Sequence, residues 1–241
     1  MDYCVSYHPI SEEQMRAWYF DVFEDLGAAE DLTLRIPEKQ LKENSLQEVE
    51  AFYKEKYIDM IKRSRNLDYD NFNRWHGYFL AIVQGFFEQF YFVYGSAVSG
   101  ILDNGFKKTY FTAWEEVIPA EYIEDLYASS KLNGPFSAGA YMSPEQVKQL
   151  LHDYENDPEI KDILDEQFEN RRIDAFLAAL KYAAQNNQGL IEATKIIDQS
   201  EEIFEEPLCY SNVFNCDVLS SAIYTAELAD HYEEIYKGTG D

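Results

Sequence analysis

The chain has 241 residues, of which 46% are hydrophobic and 16% aromatic, and a formal net charge of −25. That length and apolar content suit one large folded domain and exclude a disordered chain. The charge excludes ordinary affinity for nucleic acid or anionic lipid, which repel an acidic surface, and favours basic proteins and cations.

The acidic surplus is uneven. Residues 141–241 carry twenty-two acidic against seven basic side chains, whereas residues 71–140 carry seven against four. Three cysteines (Cys4, Cys209 and Cys216) without a Cys-x-x-Cys pair exclude a dense disulfide framework and zinc-finger spacing. The opening MDYCVSYHPISEEQ lacks the basic-then-apolar pattern of a secretory signal. A cytoplasmic protein is the expectation.

In chain order, Tyr3, Val5 and Tyr7 alternate with Asp2, Cys4 and Ser6, which predicts a brief strand or an extended arm ended by His8-Pro9. Ser11-Glu12-Glu13-Gln14 reads as a capping box, starting a helix to about Leu26. Pro37 interrupts a polar connection. Ser45-Leu46-Gln47-Glu48 is a second box, starting a helix to about Arg65 whose basic end complements the helix dipole.

The stretch Asn71–Leu102 is the most apolar in the chain. Phe72, Trp75, Phe79, Ile82, Phe86, Phe90, Val93 and Ala97 recur at steps of three or four. This spacing predicts a long central helix over about 71–100, N-capped by Asp70 or Asn71. Gly77, Ala81 and Gly85 form a small ridge on which another helix can pack closely. The segment is long enough to span a bilayer, but Gln84, Glu88 and Gln89 lie mid-segment. A central carboxylate costs about 2.5–3.5 kcal/mol on insertion, so no membrane span is expected.

Thr112–Glu115 reads as a third capping box, and Asn133–Gly139 as the clearest loop. Ser143-Pro144-Glu145-Gln146 combines a box with proline at the first helical position. A further helix is expected from Pro158 to about Gln185, a stop at Asn186–Gly189, a short helix over Leu190–Ile197, and a last helix from about Asp217 to Tyr236. The predicted fold is all-α: a single domain, 1–241, of helices bundled around the central one. A subdivision near 131–140 separates an aromatic-rich 1–132 from an acidic 140–241.

Candidate chemistry is sparse. Glu227, Asp230, His231 and Glu234 share one helical face at metal-like spacing. Glu-x-x-His is absent, however, and a solvated acidic face is the preferred reading, so no metal or other cofactor is expected. Cys4 with His8, or a cysteine with His76, would need the fold to assemble it. No Walker loop, Gly-x-Ser-x-Gly or His-Glu-x-x-His occurs.

Glu88 stands among Phe86, Phe87, Phe90 and Tyr91. A carboxylate there lies either on an exposed edge or buried with a partner. A pocket formed by His76, Gln84 and Glu88 would suit an enzyme or small-molecule binder. The stronger signal is acid mixed with aromatics: Glu201, Glu202, Phe204, Glu205, Glu206 and Tyr210. Charge steers an encounter and aromatics anchor it. The expected function is therefore non-enzymatic binding of a basic protein partner, for instance as a bacterial immunity protein blocking a toxin. Mimicry of DNA charge is a third reading.

Overall fold

The computed structural model describes residues 4–42, 45–67, 74–104, 108–122, 138–169, 171–198, 208–223 and 225–226. Its architecture is mixed α/β, which corrects the all-α expectation. A four-stranded antiparallel sheet lies between two helical layers. The strands are β1 (Cys4–Ile10), β2 (Tyr91–Tyr94), β3 (Ala138–Met142) and β4 (Gly189–Thr194), in the order β2-β1-β4-β3.

The N-terminal arm is thus a central strand. Its alternation sorts Val5 and Tyr7 to one face and Ser6, His8 and Ile10 to the other, all buried. The chain beyond it starts at the predicted Ser11 capping box. Gln14 N donates to Ser11 Oγ at 3.1 Å, and Ser11 N donates to Gln14 Oε1 at 2.8 Å. Helix α1 (Glu12–Met15) continues through a π-turn at Arg16–Phe20 into α2 (Asp21–Glu24).

Helix α3 (Leu46–Arg65) begins at the Ser45 box. Lys54 on it donates to the carbonyls of Ala29, Glu30 and Leu32, satisfying the last turn of the 3-10 helix Leu26–Asp31. Together with α4 (Arg74–Phe87), these elements cover the Ile10 face of the sheet. The core there includes Met15, Tyr19, Tyr57, Met60, Leu80, Phe86, Tyr141 and Ile191.

The other layer comprises α5 (Pro144–Asn156), α6 (Pro158–Gln167) and α7 (Arg172–Gln185). Here Val147, Leu150, Leu164, Phe168, Phe176 and Leu180 pack on Val5, Tyr7, Val93 and Leu190. Each fully buried side chain of this size contributes about 1.5–3 kcal/mol of transfer free energy. The predicted single helix over 158–185 is two, because the backbone leaves helical geometry at Phe168 (φ −104°, ψ 60°).

The long central helix is the main correction. Among the described residues of this stretch the α-helix covers Arg74–Phe87, and Val98–Asn104 is a separate 3-10 helix; the predicted caps Asp70 and Asn71 lie outside the described residues. The Glu88 amide still bonds to the Gln84 carbonyl, but the next groups are claimed elsewhere. Gln84 Nε2 donates to the Gln89 carbonyl, Phe90 N donates to Asn215 O, and Asp217 N donates to Phe90 O. The chain then enters β2 and turns at Gly95, whose φ of 73° favours glycine. A continuous apolar run such as Tyr91–Tyr94 reads alike for buried strand and buried helix. The Gly85 ridge does permit a close approach, by Ser211 rather than by a helix: a Cβ there would stand 3.1 Å from Ser211 Cβ.

Two further elements differ. Leu190–Ile197, expected as a helix, contains β4. Thr112, expected as an N-cap, instead forms a bridge with Tyr141 and donates to Gln146 Oε1 at 2.6 Å. The short β5 (Ile197–Asp198) and β6 (Leu208–Cys209) pair beside the main sheet. No helix among the described residues is long and apolar enough to cross a membrane.

The start of β4 is tightly seated. A Cβ on Gly189 would lie 2.6 Å from the Met142 carbonyl oxygen and would also meet the Tyr141 hydroxyl. Gly189→Ala is therefore expected to lower the unfolding free energy by about 1–3 kcal/mol, the usual cost of overpacking against backbone. Denaturant titration checks this, and an unchanged midpoint would contradict the close contact.

Candidate functional site

Strand register brings three chain segments to one end of the sheet. Ile10 pairs with Gly189, and Leu190 with Met142. Consequently Ser11, Gln188 and Ser143 all emerge together, and the chain past α4 delivers Glu88 to the same end. An open recess of about 450 Å³ results, lined by Ser11, Glu12, Glu13, Gln14, Glu88, Pro144, Asn186, Asn187 and Gln188. Loop clusters at sheet ends are common binding positions because the scaffold fixes them while leaving them open.

Gln14 is the hub. Its Oε1 accepts from Ser11 N and from Gln188 Nε2, each at 2.8 Å, and its Nε2 donates to Glu88 Oε1 at 3.2 Å. Tyr182 donates to the other carboxylate oxygen, Glu88 Oε2, at 2.7 Å. Burial, and then the bond to Glu88, push the Tyr182 phenol up to about 12, so it remains a donor at neutral pH. The Glu88 carboxylate is therefore held from two sides, with lone pairs left over.

Gln188 is 3% exposed, and its Oε1 has no hydrogen-bond partner. The buried Tyr141 hydroxyl, placed against Gly189, also lacks one. No lysine, arginine or histidine is among the lining residues; Lys148 donates to Asn187 Oδ1 at 2.5 Å. Glu12 and Glu13 occupy the first turn of α1, where acid also complements the helix dipole.

The three predicted pocket residues do not share this recess. Gln84 is fully buried and committed: Oε1 to His8 Nδ1 at 2.8 Å, Nε2 to the Pro9 and Gln89 carbonyls. Those Nε2 bonds leave Oε1 as an acceptor, so His8 carries its proton on Nδ1. His8 Nε2 lies 2.8 Å from Ser6 Oγ, and the ring stacks on Phe90 at 5.2 Å. His76 is buried near Phe23, ring centroids 6.0 Å apart. Only Glu88 reaches the recess.

Burial lowers both imidazoles to about 4. Each binds its proton more weakly folded than unfolded, so stability is fully present above about 6.5 and falls as pH drops toward about 4. Imidazole NMR is expected to show His8 neutral down to about pH 4; protonation near pH 6.5 would contradict its burial.

Of the predicted partner-binding residues, Glu201, Glu202, Phe204, Glu205 and Glu206 lie outside the described residues. Tyr210 is half-buried against the first core layer, its amide bonded to the Ile196 carbonyl. The metal-like set Glu227, Asp230, His231 and Glu234 also lies outside. Among the described residues no group of three or more His, Cys, Asp or Glu could hold a metal. The acidic run over α5 and α6 is partly engaged locally. Asp153 accepts from Tyr110, Asp157 caps α6, and Asp165 accepts from Tyr154.

The carriers of the recess that sequence reasoning missed are Gln14, Tyr182 and Gln188. Both capping boxes and the stop at Asn186–Gly189 were legible, but their convergence depends on β4 being a strand. No protein-family model, curated protein or solved structure matches this chain.

Proposed function

We propose that the chain is a non-enzymatic acidic binding protein that engages a basic protein partner. The observation that carries this reading is the open recess lined by Glu12, Glu13 and Glu88 with no basic side chain in its lining. It sits in a chain of net charge −25, whose long-range field accelerates encounter with a cationic surface. An inhibitor, such as a bacterial immunity protein that covers a toxin's active surface, is one concrete form and needs no catalytic group of its own. Three cysteines, an odd number with no Cys-x-x-Cys pair, support a reducing, cytoplasmic setting.

Affinity capture from native extract at low and moderate salt, read by mass spectrometry, tests the reading. A basic protein that is retained at low salt and released as salt rises supports it. Recovery of no basic protein at either salt concentration would remove it.

A further inference from the structure

We propose that the recess is a guanidinium-binding site, filled by an arginine-type cation whose planar N–H donors meet Glu88 and Gln188 together. The proposal rests on the basic-partner reading above and names the chemical group that the partner inserts.

The acceptors in the recess are fixed in orientation. Gln14 cannot flip its amide, because Oε1 accepts the Ser11 backbone N–H of the capping box. Gln188 cannot flip either, because its Nε2 donates to that same Oε1; the reverse would set two oxygens against each other. Gln188 Oε1 is therefore an acceptor with no donor, closed to solvent in the free protein, and a ligand meets it only as the recess lining gives way. Leaving such an atom unpaired costs about 1–3 kcal/mol, so a ligand that donates to it gains what the free protein lacks.

Glu88 adds a preset anion. Its two oxygens are held by Gln14 and Tyr182, and its remaining lone pairs can accept from a ligand. Glu12 and Glu13 add negative charge around the mouth. An anionic ligand would meet three carboxylates and a lone acceptor. An ammonium offers a point charge with three donors. A guanidinium offers five donors in one plane and loses less hydration on entry, which suits acceptors contributed by separate elements. The recess is open, so a side chain presented by another protein can enter.

Calorimetric titration of the whole chain tests this with four probes: a capped tripeptide Gly-Arg-Gly, the same peptide with lysine or with citrulline in place of arginine, and methylguanidinium. Saturable binding of the arginine peptide is expected, about tenfold weaker for lysine and lost for citrulline, which keeps the shape but not the charge. Glu88→Gln and Gln188→Leu are each expected to weaken the arginine peptide about tenfold and to narrow its margin over lysine. Their unfolding midpoints are read alongside. Should Gln188→Leu fail to fold, Glu88→Gln and the exposed Glu13→Gln carry the comparison.

Methylguanidinium binding as well as the peptide assigns the site to a free small cation; clearly weaker binding assigns it to a protein-borne arginine. Both outcomes support the guanidinium site. Equal binding of arginine and lysine peptides, or binding that Glu88→Gln leaves unchanged, overturns it. If that happens while a basic protein is still captured in a salt-sensitive way, the site is lost and the basic-partner reading stands. If no basic protein is captured, that reading fails independently.

Discussion

Phe176→Ala is expected to lower the unfolding free energy by about 3–5 kcal/mol, the cost of truncating a buried phenylalanine and leaving a cavity. Phe176 is fully buried on α7. Its ring stacks on Phe168 with centroids 4.6 Å apart and packs on Tyr7 at 4.8 Å. The three rings join α7, the end of α6 and the central strand β1, so the gap has no free segment to collapse into it. Phe176→Leu keeps most of the apolar volume and is expected to cost less than half as much. Equilibrium denaturation measures both. A loss under about 1 kcal/mol for alanine would show that the second helical layer does not pack on the sheet as described.

Glu192→Ala is expected to cost about 3 kcal/mol, through donors left unpaired in the core. Glu192 points from β4 into the second layer and is 2% exposed. It accepts from the Tyr7 hydroxyl at 3.1 Å, from Ser99 N at 3.2 Å and from the Ser99 hydroxyl. Tyr7 in turn accepts from Val98 N, so this one carboxyl fixes the 3-10 helix Val98–Asn104 to the sheet. Burial raises the Glu192 carboxyl above the usual range, and the bonds from Ser99 and Tyr7 oppose that.

A raised acid binds its proton more tightly in the folded state. This contribution to stability is present at low pH and declines as pH rises through the folded value, opposite in sign to His8. Glu192→Gln removes the titration and keeps the shape. Its stability relative to the natural protein is expected to improve steadily with rising pH. A pH-independent difference would contradict a desolvated carboxyl at this position.

Much of the local structure is legible in the residues. The Ser11, Ser45 and Ser143 capping boxes all form, and α3 runs to Arg65 as its basic end suggests. Capping is legible because the signal and its partners lie within four residues. Beyond β1, whose alternation reads as a brief strand or an extended arm, the sheet is not, because its strands are buried on both faces. In β4, Gly189–Thr194 shows six buried positions in a row, including Glu192, so no alternation survives to mark a strand. The aromatic periodicity of Asn71–Leu102 continues past Phe87 although the helix does not. Tyr91 and Val93 serve one sheet face, whereas Phe90 and Phe92 pack with Cys209 and Cys216.

The same gap hid the recess. Glu88 was recognisable as a carboxylate among aromatics. Its partners, Gln14 and Tyr182, are 74 and 94 positions away in sequence, and Gln188, which bonds to Gln14, is 174 positions from that residue, all brought together only through strand register. Polar amides in a capping box and a helix stop have sufficient local roles, so nothing near them in sequence signals a shared site.

The most direct measurement is side-chain amide NMR of the natural chain during titration with the capped Gly-Arg-Gly peptide. The Gln188 and Gln14 amide resonances are predicted to shift saturably, with the same dissociation constant as calorimetry, and to stay unmoved with the citrulline peptide. Shifts confined to the acidic faces of α5 and α6, with Gln188 and Gln14 silent, would contradict a cation seated in the recess.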